Sequence, residues 1–176
     1  VNTQQYVATL AGGGPETFGS RYVFAHVDRS TYSTQFRMNY TFKPDLTLDF
    51  YGEPFAASGR YDHLGELAKA GTRLIRPYGV EGASLTRLAD GRLAVTDGAA
   101  AFTLPSRDFK VQSFRSNLVL RWEGRPGSTL YLVWQQDRAS EEMLRERASV
   151  TDMFGSLGQR GDNYFVVKAS FWFSPT

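Results

Sequence analysis

The 176 residues contain no cysteine, which excludes disulfides, thiolate metal ligands and cysteine nucleophiles together. That absence is neutral about compartment, since many envelope proteins also lack cysteine. Histidine occurs only as His26 and His63. No further ligands stand at metal-binding spacing around either, so neither a metal site nor any other cofactor is expected. No window approaches eighteen consecutive apolar residues, which excludes a membrane-crossing helix. The opening Val1-Asn2-Thr3-Gln4-Gln5 is not a basic-then-apolar leader. An excess of one charge is also missing: 20 Lys+Arg against 18 Asp+Glu leave a formal charge of +2, with no basic block, which argues against a nucleic-acid partner. A transmembrane β-barrel passes all these filters, because its strands alternate and never build a long apolar run.

What the chain does have is period-two alternation. Phe36, Met38, Tyr40 and Phe42 interleave with Gln35, Arg37, Asn39 and Thr41. Lys43-Pro44-Asp45 then supplies a turn, and Leu46, Leu48 and Phe50 alternate with Thr47, Asp49, Tyr51 and Glu53. A second hairpin of the same design sets Phe114, Leu118, Leu120 and Trp122 against Arg115, Asn117, Arg121 and Glu123. It turns at Gly124-Arg125-Pro126-Gly127 and returns through Leu130, Leu132 and Trp134. The last strand places Phe165, Val167, Ala169, Phe171 and Phe173 on one face and Lys168 and Ser170 on the other. Weaker strands are expected at about Asn2 to Leu10 and Ser20 to Val27, for about seven in all.

Two long insertions separate the strands, at about 58–109 and 139–162. The first is expected to be loop-like, with a short helix at His63 to Ala70 and a small hairpin at Ala89-Asp90-Gly91-Arg92. The second is expected to be partly helical, with Glu141 and Arg145 at helical spacing and Ser149 with Asp152 as a capping box.

Alternation alone cannot say whether the apolar face meets a protein core or lipid. Short turns on one side and long connections on the other, strands of about twelve residues, and aromatics ending the apolar faces favour an outer-membrane barrel. The fold expected is therefore all-β: the C-terminal portion of an antiparallel up-and-down transmembrane barrel, residues 1–176 forming part of one barrel domain. The lipid-facing set is Phe36, Met38, Tyr40, Phe42, Leu118, Leu120, Trp122, Leu130, Leu132, Trp134, Phe171 and Phe173. The lumen-facing polar set is Arg37, Asn39, Asp49, Glu53, Arg115, Asn117, Arg121 and Lys168. The alternative is a soluble β-sheet ligand-binding module whose aromatics fill a core.

Certain segments point further. Arg21-Tyr22-Val23-Phe24-Ala25, Arg37 through Leu48, Tyr51-Gly52-Glu53-Pro54-Phe55 through Gly59, Phe114 through Glu123, Arg125-Pro126-Gly127-Ser128-Thr129-Leu130 through Gln136, and Asp162-Asn163 through Phe173 resemble the C-terminal region of the domain-of-unknown-function 5916 family. The resemblance covers most of the chain and is weakest between Tyr61 and Phe109. It implies a large envelope protein of Gram-negative bacteria, with a carbohydrate-binding-like domain upstream of an outer-membrane barrel. This chain would be the end of that barrel, acting as a channel or anchor. Its partners would be outer-membrane lipid, upstream strands of the same barrel or another chain supplying them, and the barrel-assembly machinery, which would read Phe171-Trp172-Phe173.

Catalysis is not expected. His63 with Asp62, Ser58 and Glu66 has the residue types of a hydrolytic constellation, the basis of a barrel-borne hydrolase alternative, but such groups are recognised by geometry. Asp49 and Glu53 on one strand face would be about 13 Å apart, beyond the usual glycosidase pair. Arg160-Gly161-Asp162 is a chance match to an integrin-binding tripeptide. Gly12-Gly13-Gly14 lacks the context of a phosphate loop and reads as a turn.

Overall fold

The alternating segments form long antiparallel strands. The computed structural model describes residues 2–80, 82–143 and 145–173, and these hold eleven strands and one short α-helix. The strands are β1 (Asn2–Ala11), β2 (Ser20–Ser33), β3 (Phe36–Lys43), β4 (Leu46–Leu67), β5 (Ile75–Pro77), β6 (Ala83–Arg87), β7 (Leu93–Asp97), β8 (Ala100–Leu104), β9 (Phe109–Arg125), β10 (Ser128–Glu142) and β11 (Gly161–Ser170). The helix is α1 (Val150–Gly155). The large sheet runs β1-β2-β4-β9-β10-β11, with β3 and β5 also paired to β4, and β6-β7-β8 form a separate meander. The sheets do not close into a barrel. The expected count of about seven strands is corrected to eight in the large sheet plus three. The added strands are β5 in the large sheet and the three of the meander, all within the insertion expected at 58–109.

Contacts divide the chain into two units, and β2, β4 and β9 contribute residues to both. The first unit comprises Val1–Ser30, Ser58–Lys110 and Met143–Arg147. Its core is Val7, Val23, Ala25, Leu64, Tyr78, Leu93, Val95 and Leu104, with Tyr61, Leu85 and Phe102 packed against it. The expected loop at 58–109 and its helix at His63 to Ala70 are corrected here: β4 continues to Leu67, β5 pairs with Gly65–Leu67, and the meander follows. The strand signal was hidden because Tyr61 and Leu64 both pack on the core, three positions apart, which plain alternation forbids. A bulge reconciles them, with His63 at φ 52° in the left-handed region. The expected Asp-Gly hairpin is present between β6 and β7, where Asp90 accepts from the Arg92 backbone amide at 3.0 Å.

The second unit comprises Thr31–Ala57, Val111–Glu142 and Ala148–Thr176. Its two hairpins are the expected ones. Between β3 and β4, Pro44 and Asp45 make the turn, and the Asp45 carbonyl accepts from the Glu123 amide at 2.8 Å. Between β9 and β10, Pro126 and Gly127 turn the chain. Gly127 has φ +80°, and a Cβ there would lie 3.0 Å from that of Trp172. Ser149 caps α1, its hydroxyl accepting from the Asp152 amide while the Asp152 carboxylate accepts from the Ser149 amide, so the expected capping box is formed. Met153 of the helix packs with Ala56 and Ala148. The expected helical pair Glu141 and Arg145 is not formed, because Glu141 lies in β10. β11 ends at Ser170, so Phe171 and Phe173 do not extend its face as expected. The ladder runs out at Thr129↔Ser170, where the turn before Ser128 takes the partner strand away.

Candidate functional site

The chemistry of the second unit is organised by the two faces of its sheet. Residues directly opposite each other in antiparallel strands share a face. Phe36 lies opposite Gly52, Met38 opposite Phe50 and Tyr40 opposite Leu48, and the Phe42 ring sits 4.8 Å from that of Tyr40. The Phe114 ring comes within 3.5 Å of the Cβ position of Gly52, so Phe114 is on this face. Alternation then brings Ser116, Leu118, Leu120 and Trp122 there as well. Ser116 donates to the Gln136 side-chain oxygen at 3.0 Å, which aligns Leu130, Leu132 and Trp134 of β10. Leu130 faces Ala169, Leu132 faces Val167, and Trp134 stacks on Phe165 at 5.7 Å. Ten of the twelve predicted apolar residues thus lie on one continuous face. The other two, Phe171 and Phe173, follow the end of β11 and line, with Trp122, Leu130 and Trp172, a cavity of about 620 Å³ beside the β9–β10 turn.

This apolar face is uncovered. Phe42 is 53% exposed, Trp122 46%, Phe165 73% and Val167 68%. Monomers in water rarely leave so continuous an apolar surface bare. It ends in a polar rung missed by sequence reasoning: Ser116, Gln136 and Asn163, where Asn163 accepts from Gln136 at 3.0 Å and from the Trp134 indole at 3.2 Å. Polar residues at positions where alternation calls for apolar ones were the available signal.

The eight predicted polar residues share the opposite face. Arg37 stacks over Tyr51, Asn39 donates to Asp49, and Tyr51 donates to Glu53 at 2.6 Å. Arg115 faces Asp137 at 3.7 Å, Arg121 pairs with Glu123 at 2.7 Å, and Lys168 lies 5.9 Å from the Tyr131 ring. Asn117 joins Arg37, Asn39, Asp49 and Tyr51 around a shallow cleft of about 320 Å³. Charges of both signs therefore alternate across this face, with Arg115–Asp137 and Arg121–Glu123 as its ion pairs.

The first unit holds a second polar constellation, unforeseen in the sequence. Arg21 bonds Glu66 and Asp97, both at 2.8 Å, and Arg76 bonds the same two carboxylates, reaching Asp97 at 2.6 Å. Tyr78 donates to Glu66 at 2.9 Å. Hydrogen bonds from Arg76 and then Arg21 hold the Asp97 carboxyl at a pKa of about 2. Burial opposes the Glu66 charge, but bonds from Arg76, Tyr78 and Arg21 outweigh it and keep its pKa below the ordinary carboxylate range. Burial and then the Glu66 bond push the Tyr78 hydroxyl upward. Gly12, Gly13, Gly14 and Thr17 complete a cavity of about 430 Å³ beside this cluster. With two guanidiniums matched to two carboxylates, the arrangement is a clasp between β2, β4, β5 and β7 within this unit.

The residues considered for hydrolysis are engaged elsewhere. Asp62 is bound by Arg145, Glu66 belongs to the clasp, Ser58 is buried, and His63 packs edge-to-face on His26. Asp49 and Glu53 are each held by a neighbour on the polar face. Among the described residues, no three His, Asp or Glu side chains cluster as metal ligands. The chain matches no family model, no curated protein and no solved structure.

Proposed function

We propose that this chain is the C-terminal part of an outer-membrane β-barrel, serving as a channel or as a membrane anchor. The observation that carries the reading is the uncovered apolar face of the second unit, backed by a face of mixed charge. Lipid would cover the first and water the second, as in barrels whose strands alternate apolar-out and polar-in. The 10 to 17 residues of β9, β10 and β11 compare with about 9–11 needed for a tilted strand to cross. Tyr40, Phe42 and Trp122 beside the short turns supply an aromatic belt. In the second unit β3 pairs only with β4 and β11 only with β10 among the described residues, leaving an edge at each for further strands, from the same barrel or another chain. The resemblance to the domain-of-unknown-function 5916 family supports the same placement and an upstream carbohydrate-binding-like domain as the anchored cargo.

The test is fractionation of native cells, with an antibody against Tyr164 to Thr176 reading membrane fraction and polypeptide mass together. A band in the outer membrane is the expected result, and a mass well above 19.7 kDa would mark the chain as the end of a larger barrel. A soluble band of 19.7 kDa would refute the proposal and make the apolar face an interior or a protein contact.

A further inference from the structure

The only two histidines of the chain stand 37 positions apart in sequence and meet in the first unit, their ring centres 6.1 Å apart and perpendicular. We infer that His26 and His63 form a two-histidine site for a borderline divalent transition metal ion of the zinc, nickel or copper class. Both side chains are exposed, and among the described residues neither imidazole hydrogen-bonds to protein or joins an ion pair, so their nitrogens are available. Metal–nitrogen bonds of about 2.0–2.1 Å require two imidazole nitrogens a few ångströms apart.

The backbone is shaped to make the meeting. Asp28 and Arg60 are ion-paired at 2.7 Å, so Arg60 shares the face of His26. Regular alternation from Arg60 would send residue 63 to the core side. The bulge at φ 52° instead turns His63 outward onto His26, while Leu64 takes the core position. The left-handed residue thus falls at the point that brings the two imidazoles together.

The neighbours select the ion. Gln4 lies directly opposite His26 across β1 and β2 and offers an amide oxygen as a third donor, with water completing the sphere. The carboxylates beside them in sequence are committed elsewhere, Asp28 to Arg60 and Arg147 and Asp62 to Arg145. A donor set of two imidazoles without a free carboxylate suits zinc, nickel or copper and gives little to magnesium or calcium.

The experiment is calorimetric titration of the untagged protein at pH 7.5 with Zn²⁺, with Mg²⁺ as the hard-ion comparison and NMR of the imidazole protons alongside. One Zn²⁺ per chain, joint perturbation of both imidazoles and no Mg²⁺ uptake are expected. His26→Gln and His63→Gln should each weaken binding about tenfold or more, since either leaves a single imidazole. Zn²⁺ affinity equal in the wild type and both variants, no saturable uptake below about 1 mM, or perturbation of one imidazole alone would overturn the assignment. The NMR arm uses only the wild type, so it stands even where a variant fails to fold.

Discussion

Leu132 and Val133 are consecutive in β10 and point to opposite faces, Leu132 opposite Val167 and Val133 opposite Val166. They allow one substitution to be read on both sides of the same sheet. Leu132 lies between Leu130 and Trp134 on the apolar face and is 40% exposed. If lipid covers that face, Leu132→Arg places a guanidinium within the hydrocarbon band, at a cost of about 2–4 kcal/mol near the midplane. At about 1.4 kcal/mol per decade, this lowers the folded-to-unfolded ratio about 30- to 700-fold. Val133→Arg places the same group on a face that already holds Arg37, Arg115, Arg121 and Lys168, where a surface change of about 0.5 kcal/mol or less is expected. The assay is urea unfolding of the membrane-embedded protein followed by tryptophan emission, with the fraction assembled in the membrane as a second readout. Near-equal small effects at the two positions would refute the lipid assignment, because a water-exposed face tolerates arginine. A larger loss at Val133 than at Leu132 would reverse the facing.

The Arg21–Glu66–Arg76–Asp97 clasp predicts a pH dependence with a definite sign. The folded pKa of Asp97 is depressed to about 2 from 3.8, so its contribution is complete above pH 4 and is lost as pH falls from 4 toward 2. After allowance for solvent screening the loss is about 1 kcal/mol, readable as a fall in melting midpoint. Asp97→Asn should be less stable at pH 7 and should lack Asp97's contribution to that fall, and an unchanged pH profile would count against the clasp. Gly161→Val should weaken the β10–β11 pairing by about 1–3 kcal/mol, because a Cβ there would lie 2.2 Å from the Asp137 carbonyl oxygen. Faster amide exchange along β11 would register it, and unchanged exchange would contradict the close approach. Ser149→Ala removes the capping box of α1 and should cost about 0.5–2 kcal/mol in thermal unfolding, with Ser149→Asp retaining most of the stability.

The sequence by itself determined which side chains share a face. Alternation from Phe36 to Phe42, Phe114 to Trp122 and Leu130 to Trp134 is a local property of extended backbone, and the structure keeps it strand by strand. The turns at Pro44-Asp45, Asp90-Gly91 and Pro126-Gly127 and the Ser149–Asp152 cap were equally legible, since each is set within four residues. What only the tertiary structure decided lies between residues far apart. Continuation of β4 through Ser58 to Leu67 was hidden by a bulge that breaks the period and by Glu66, a buried charge made tolerable by Arg21 and Arg76. The clasp joins residues 45 and 76 positions apart, and the histidine pair depends on how β2 lies beside β4. The period of a strand encodes its faces. It does not encode its partners, which are selected only when strands pair and the charges left inside must find one another.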